Sequence, residues 1–523
     1  MTTRRRRPGR PDTTFPTFQE KAQITIRFKA EAGMRVVGTE LASASGADVS
    51  GVQTILKELP EVGVRRLLEQ TETTLQDRAR AVVAATGAVV PDLSLYYATQ
   101  VPLDQADKLV ENLNNESLVD AAYVKPPAEP AGILDEEVLP ATDEAPPASP
   151  DFSIRQGYLG PAPEGIDAHY AWTRAGGRGN GVAIIDIEGE WNFNHEDLLL
   201  NQGGVVGGTP PGSLPWRNHG TAVAGEFSGD HNAFGIDGIC PDAMFSAYSI
   251  YDSLGNQNSP NAIMQAANRL NAGDIILIEL HRPGPRHNFQ SRSDQKGYIA
   301  IEWWPDDFDA IQFAIAKGIV VIEAAGNGAE DLDDAIYSNP RIGFPPGWTN
   351  PFNRSNRDSG AIVVGAGAPP PNTHGRNHGP DRSRLAFSNY GSIVDAQGWG
   401  REVTTTGGRG DNPGDLQGGT DENKWYNDRF SGTSSASPIV VGAVGCCQGA
   451  LKAVGRPVLT PADARDLLRT TGSPQTDEPS RPATQRIGNR PDLRAMLPQE
   501  PPPPPRGCCI ARFASKYILR RKP

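Results

Sequence analysis

Phe430-Ser431-Gly432-Thr433-Ser434-Ser435-Ala436-Ser437-Pro438 is a turn of small residues that opens an apolar helical run reaching Ala453. A reactive serine needs what such a turn offers. Small neighbours let another backbone approach closely, and a helix start directs partial positive charge at a developing oxyanion. Ser and Thr are also ordinary helix caps, so the turn gains meaning only from the segments upstream of it.

Three of those segments place a polar residue at the end of an apolar run or at a helix entry. Val182-Ala183-Ile184-Ile185 stops at Asp186, and Val320-Val321-Ile322-Glu323-Ala324-Ala325-Gly326 leads to Asn327. His219 precedes a run of small residues, Gly220-Thr221-Ala222-Val223-Ala224-Gly225. Serine catalysis needs a base on the hydroxyl, a carboxylate that fixes the imidazole tautomer, and donors for the oxyanion. Further apolar runs, Met244–Ile250, Asp274–Leu280 and Ala361–Ala366, alternate with helical segments such as Pro260–Asn271 and Asp306–Lys317. This pattern predicts an α/β domain with a mostly parallel sheet covered on both faces. Functional groups then gather at the carboxyl ends of the strands.

The segments around 186, 219, 327 and 434 resemble those of the subtilisin-like serine proteases, whose chain order is Asp, His, Ser. Gly165-Ile166-Asp167-Ala168, His195-Glu196-Asp197-Leu198, Phe387-Ser388-Asn389-Tyr390-Gly391 and Gly488–Leu493 are similar to further family segments, so the likeness runs over 151–497. It implies a three-layer αβα sandwich and a serine endopeptidase working through an acyl-enzyme. Ser434 would be the nucleophile, His219 the base, Asp186 the orienting carboxylate and Asn327 an oxyanion donor. The alternative is a catalytically silent scaffold of the same fold that binds peptides or proteins.

The chain departs from the family pattern at three places. Ile187-Glu188-Gly189 follows Asp186, Glu323 stands where a small apolar residue is usual, and Glu279-Leu280-His281 replaces the substrate-binding strand. Glu188, Glu279 and Glu323 are therefore expected to form an acidic network at the crevice that favours cationic substrate side chains, or else to pair locally. His281 and Arg282 predict a narrower or displaced specificity pocket, with Pro283–Glu302 as a lid or wall and Trp303-Trp304 as packing residues. The family commonly binds calcium through oxygen ligands. Glu330-Asp331-Leu332-Asp333-Asp334 invites that reading, but a solvated acidic loop is the expectation and no metal ligand is assigned.

The rest of the chain frames this domain. Residues 1–20 are polar and basic, and 21–125 read as a small α+β domain resembling the family's inhibitory propeptides, an intramolecular inhibitor. Residues 126–150 hold seven prolines and six acids and read as an exposed linker. Residues 498–523 combine a proline run with a basic tail containing Cys508 and Cys509, for which membrane attachment is the less favoured reading. The net charge of −12 over 523 residues excludes nucleic acid as the main partner. Five cysteines make no disulfide framework. No Sec signal peptide or apolar run long enough to span a membrane is read, which points to the cytoplasm. Polypeptides are the expected substrates.

Overall fold

The computed structural model describes residues 21–38, 40–57, 63–132, 145–146 and 148–498. The basic N-terminus, most of the linker and the Cys508-Cys509 tail lie outside them. At the centre is a seven-stranded sheet in the order Val394–Trp399, Ile362–Gly367, Val320–Ala324, Ile275–Ile278, Ala183–Glu188, Met244–Ser249, Gln202–Gly207. Every neighbouring pair is parallel. The pleat sends alternate residues to opposite faces. Ile184, Leu277, Ile322 and Val364 pack toward helices Leu214–Ser228 and Ser437–Ala453. Ile185, Ile187, Ile276, Ile278 and Val321 pack toward helices Ser259–Arg269 and Pro305–Ala316. The predicted αβα sandwich is therefore present, and nearly continuous Val/Ile runs are its sequence signature because both faces are buried.

Residues 21–125 form a second sheet, antiparallel, in the order Arg65–Arg66, Tyr96–Pro102, Lys21–Phe28, Val119–Lys125. Helix Leu103–Asn114 completes the α+β domain read from the sequence. Apolar spacing over 64–85 suits one helix, but the chain does not form it. Arg65–Arg66 pairs at the sheet edge, and the helix begins only at Glu72, where Thr71 caps it by accepting the Thr74 N–H. A good N-cap and an edge partner outweigh helical periodicity in that stretch.

This small domain is welded to the large one through the start of helix Pro305–Ala316. Tyr96 and Tyr123 donate their hydroxyls to Asp309 and Asp306 at 2.7 and 3.0 Å. Lys125 Nζ lies 2.6 Å from Asp306 and 2.8 Å from Asp307, with all three side chains buried. Tyr123 also packs edge-on against Phe344, in an aromatic cluster with Trp303 and Trp304, which are packing residues as expected. Cys240, Cys446 and Cys447 are free and buried. No helix among the described residues is long and apolar enough to cross a membrane.

Removing one partner of a buried ion pair typically costs about 3–5 kcal/mol, because the other charge is left uncompensated. Lys125→Ala, made in a Ser434→Ala chain so that the backbone stays whole, is expected to destabilise the docked small domain by that order. Chemical denaturation followed by tryptophan fluorescence reads this; an unchanged midpoint would show that the pair carries no docking energy.

Candidate active site

The site is built around a short stretch that the sequence placed in the linker. Glu129–Pro130 forms a strand antiparallel to Leu280–Pro283, whose other edge pairs with Tyr298–Ala300. The Ala131 N–H donates to the Glu279 carbonyl at 3.3 Å, and Gly132 bridges to Gly432. One residue earlier, Gln257 clamps Ala128 from both sides. Its Oε1 accepts the Ala128 N–H at 2.6 Å and its Nε2 donates to the Ala128 carbonyl at 2.9 Å. Residues 128–132 thus lie across the carboxyl edge of the sheet in extended form.

At the centre of that stretch the Ala131 carbonyl oxygen accepts two hydrogen bonds, from the Ser434 N–H at 3.1 Å and from Asn327 Nδ2 at 2.6 Å. The amide of Asn327 has one available orientation. Its Oδ1 takes the Thr433 N–H at 2.9 Å and the Thr433 hydroxyl at 3.0 Å, which turns the NH2 toward Ala131 and Gln295 Oε1. Ser434 sits in the turn just ahead of helix Ser437–Ala453, with Oγ fully buried. Gly432, at φ 129°, is required by the same approach, since a β-carbon there would lie 2.2 Å from the Ala131 oxygen. Ser435 donates to the Trp399 carbonyl and plays a local structural part.

His219 does not meet the expected partner. The carboxylate on its Nδ1 is Glu188, with Oε2 at 2.7 Å, whereas Asp186 Oδ2 accepts the Trp191 indole N–H at 2.8 Å. The pleat explains the exchange. Asp186 and Glu188 are two apart on one strand and share a face, and Glu188 stands one step nearer the carboxyl edge where His219 arrives. Both carboxyls are held well above the usual carboxylate range, first by burial, and Asp186 also by the neighbouring Glu188. Burial pushes the imidazole down to about 3, against the opposing pull of Asp186, so His219 is neutral beneath the threaded strand.

The other expected residues divide by face. Glu279 lies beside Glu188 on the same side, one oxygen accepting the Ser437 hydroxyl at 2.6 Å, and burial next to Asp186 holds it well above the carboxylate range. It meets residues 128–132 through its backbone, and so does Leu280, opposite Pro130. Glu323 pairs across the sheet with Ile278, on the opposite face, where burial and the neighbouring Glu302 hold it well above the carboxylate range. The expected network of three is therefore split into Glu188 with Glu279, and Glu323 with Glu302. None of these carboxyls is a free anion offered to a cationic side chain. The strand that carries His281 pairs on both edges. The imidazole packs edge-on against Tyr298 at 4.7 Å between centroids and accepts the Asn327 N–H at 3.3 Å.

The acidic stretch 330–334 does not fit a calcium ion. Glu330 and Asp334 both engage Arg286, Glu330 also takes the Tyr337 hydroxyl, and Asp333 takes two donors from Ser392. Among the described residues no group of three or more His, Cys, Asp or Glu is arranged to hold a metal. Several functional neighbours carried no sequence signal: Gln257, Gln295, Tyr298 and Glu226. Glu226 is buried near Glu279 and held well above the carboxylate range. Each lies in a helix, loop or short strand of ordinary composition, and only folding brings it to the site.

Residues 172–489 match the group described as the Subtilase family. The chain is 28% identical over 341 residues to the calcium-dependent protease of Trichormus variabilis, covering 61% of this chain and 46% of that protein. It is 24% identical over 441 residues to the extracellular protease of Xanthomonas campestris, covering 76% and 65%. The chain thus spans about half to two thirds of the length of these relatives. Its fold is similar to that of the epidermin leader peptide processing serine protease of Staphylococcus aureus, at 17% identity and a TM-score of 0.51, over 91% of this chain and 98% of that one.

Two substitutions separate the carboxylates. Glu188→Gln is expected to slow acylation of Ser434 by a fluorophosphonate about 10⁴-fold, the order seen when an orienting carboxylate becomes an amide. Asp186→Asn is expected to stay within about tenfold, because its amide oxygen still accepts from Trp191 and Glu188 still holds the imidazole. Labelling rates read by mass spectrometry decide, and the reverse ranking would return the orienting role to Asp186.

Proposed function

We propose that this chain, a member of the subtilase family, is a serine endopeptidase whose first substrate is its own peptide bond between Ala131 and Gly132. The observation that carries this is the Ala131 carbonyl, held by two converging donors beside the buried hydroxyl of Ser434. In this reading Ser434 Oγ attacks the Ala131 carbonyl carbon as His219 Nε2 takes its proton. Negative charge develops on the oxygen between Asn327 and the Ser434 N–H, where fixed dipoles stabilise it. Breaking the bond to the Gly132 nitrogen leaves the acyl-enzyme, and His219 returns the proton to that nitrogen. Water then attacks the acyl carbon, again with His219 as base, and frees the Ala131 carboxylate.

The position of Gly132 supports the proton transfer, since a β-carbon built on it would lie 3.0 Å from His219 Nε2. Glu188 supports it from the other side by holding Nδ1–H, so that Nε2 is the basic nitrogen. Residues 21–131 then act as an intramolecular inhibitor that occupies the site until cut and released, and other polypeptides are the later substrates. A silent scaffold would have no use for two donors converging on one strand carbonyl at a turn that carries a buried serine.

Three results are expected. The purified full-length chain yields a fragment whose N-terminal sequence begins at Gly132, and Ser434→Ala stays whole; a Ser434-independent cut at that bond would overturn the assignment. Asn327→Ala slows the first-order cut about 10²–10³-fold, the usual loss for one oxyanion donor, measured by densitometry after dilution from denaturant. The pH profiles of the two stages differ. A base must be unprotonated, and His219 is depressed to about 3 while the strand covers it. Self-cleavage therefore persists well below pH 6, whereas hydrolysis of added substrate falls on acidification through about 6.5 as the uncovered imidazole regains its ordinary value. Coincident profiles would contradict this.

A further inference from the structure

The threaded segment also carries side-chain information. Glu129 lies third before the bond assigned above, and it is buried, with 5% of its surface exposed. Burying a carboxylate is costly unless donors meet it. Here Glu129 Oε1 accepts the Tyr298 hydroxyl at 2.8 Å. That hydroxyl is already oriented, because it accepts the Arg292 N–H at 2.9 Å, which leaves its proton directed at Glu129. Tyr298 is itself fully buried and braced against His281. The donor therefore stands ready before any acid arrives.

On the far side of the bond, the position after it admits little more than an α-carbon. A β-carbon at residue 132 would lie 2.7 Å from His219 Cδ2. The ring has nowhere to retreat, since Nδ1 is fixed on Glu188 and its other side meets Phe430 at 5.4 Å between centroids. Any larger residue would displace the base. Ala128 is held through its backbone by Gln257, and its methyl group is buried in the apolar cluster that includes Leu280.

We infer that the enzyme selects polypeptides with an acidic residue third before the cleaved bond, read by Tyr298, and glycine directly after it, imposed by His219. The inference rests on the reading of 128–132 as the segment cut. Its substrates are accordingly proteins with an exposed acid-x-small-Gly segment, of which Glu129-Pro130-Ala131-Gly132 is the internal copy. The S-side walls thus favour a negative side chain at the third position, not the cationic one expected from the glutamate-rich sequence.

The test uses the full-length chain after it has processed itself, with a quenched fluorescent peptide containing Ala-Glu-Pro-Ala-Gly. Replacing Glu by Gln is expected to lower kcat/KM roughly 10–100-fold, the worth of a hydrogen bond to a charged group. Lys at that position should lose at least as much, and Ala in place of the glycine should lower kcat more than it raises KM. In the Tyr298→Phe enzyme the Glu-to-Gln ratio should fall close to one, a change that general loss of folding would not produce. Casein is assayed alongside. If casein is hydrolysed in a Ser434-dependent way but the peptides are cut alike, the specificity inference fails and the endopeptidase reading stands. If the chain neither processes itself nor hydrolyses casein or any peptide, both are overturned.

Discussion

One carbonyl organises this molecule. The Ala131 oxygen is gripped by the Ser434 N–H and by Asn327, and much of the architecture either aims those two donors or delivers that oxygen to them. Thr433 saturates the Asn327 carbonyl and so orients its amide. The turn before helix Ser437–Ala453 exposes the Ser434 amide. The strand Leu280–Pro283 sets the height and direction of the incoming backbone. Donors fixed before the charge appears cost no reorganisation when it does, which is why a rigid α/β sheet edge suits this chemistry.

Delivery of the carbonyl depends on the small domain. Its last strand ends at Lys125, three residues before Ala128, and the buried contacts of Tyr96, Tyr123 and Lys125 with Asp306, Asp307 and Asp309 leave the following residues little freedom. An anchored start and a strand partner together reduce the conformational entropy lost on threading. Inhibition and self-processing follow from the same contact set in the proposed function: the domain docks tightly enough to place one carbonyl on the Ser434 N–H and Asn327.

The acidic residues show how burial changes chemistry without changing sequence. Asp186, Glu188 and Glu279 share one face at the sheet edge, and all are driven toward the neutral form by desolvation. One carboxylate next to an imidazole is useful; three ionised ones in a dry cleft would be prohibitive. Desolvation keeps them from ionising together, and Glu188 is the one that meets His219.

Much of this was legible in the residues. Continuous apolar runs between helices predicted the parallel sheet, because strands buried on both faces need no polar alternation. His219, Asn327 and Ser434 announced themselves through small neighbours, which any site approached by another backbone must have, and the structure brings all three to residues 131–132. What only the tertiary structure decided was parity and proximity. Position along the strand placed Glu188 rather than Asp186 on the imidazole, and strand pleat sent Glu323 to the far face. Glu129–Gly132 looked like exposed linker because proline-rich composition gives no sign of a strand that is completed by a partner 150 residues away. Tyr298 and Gln257 gave no sign for the same reason. A residue's chemistry is local, but what it faces depends on which distant segments the fold lays beside it.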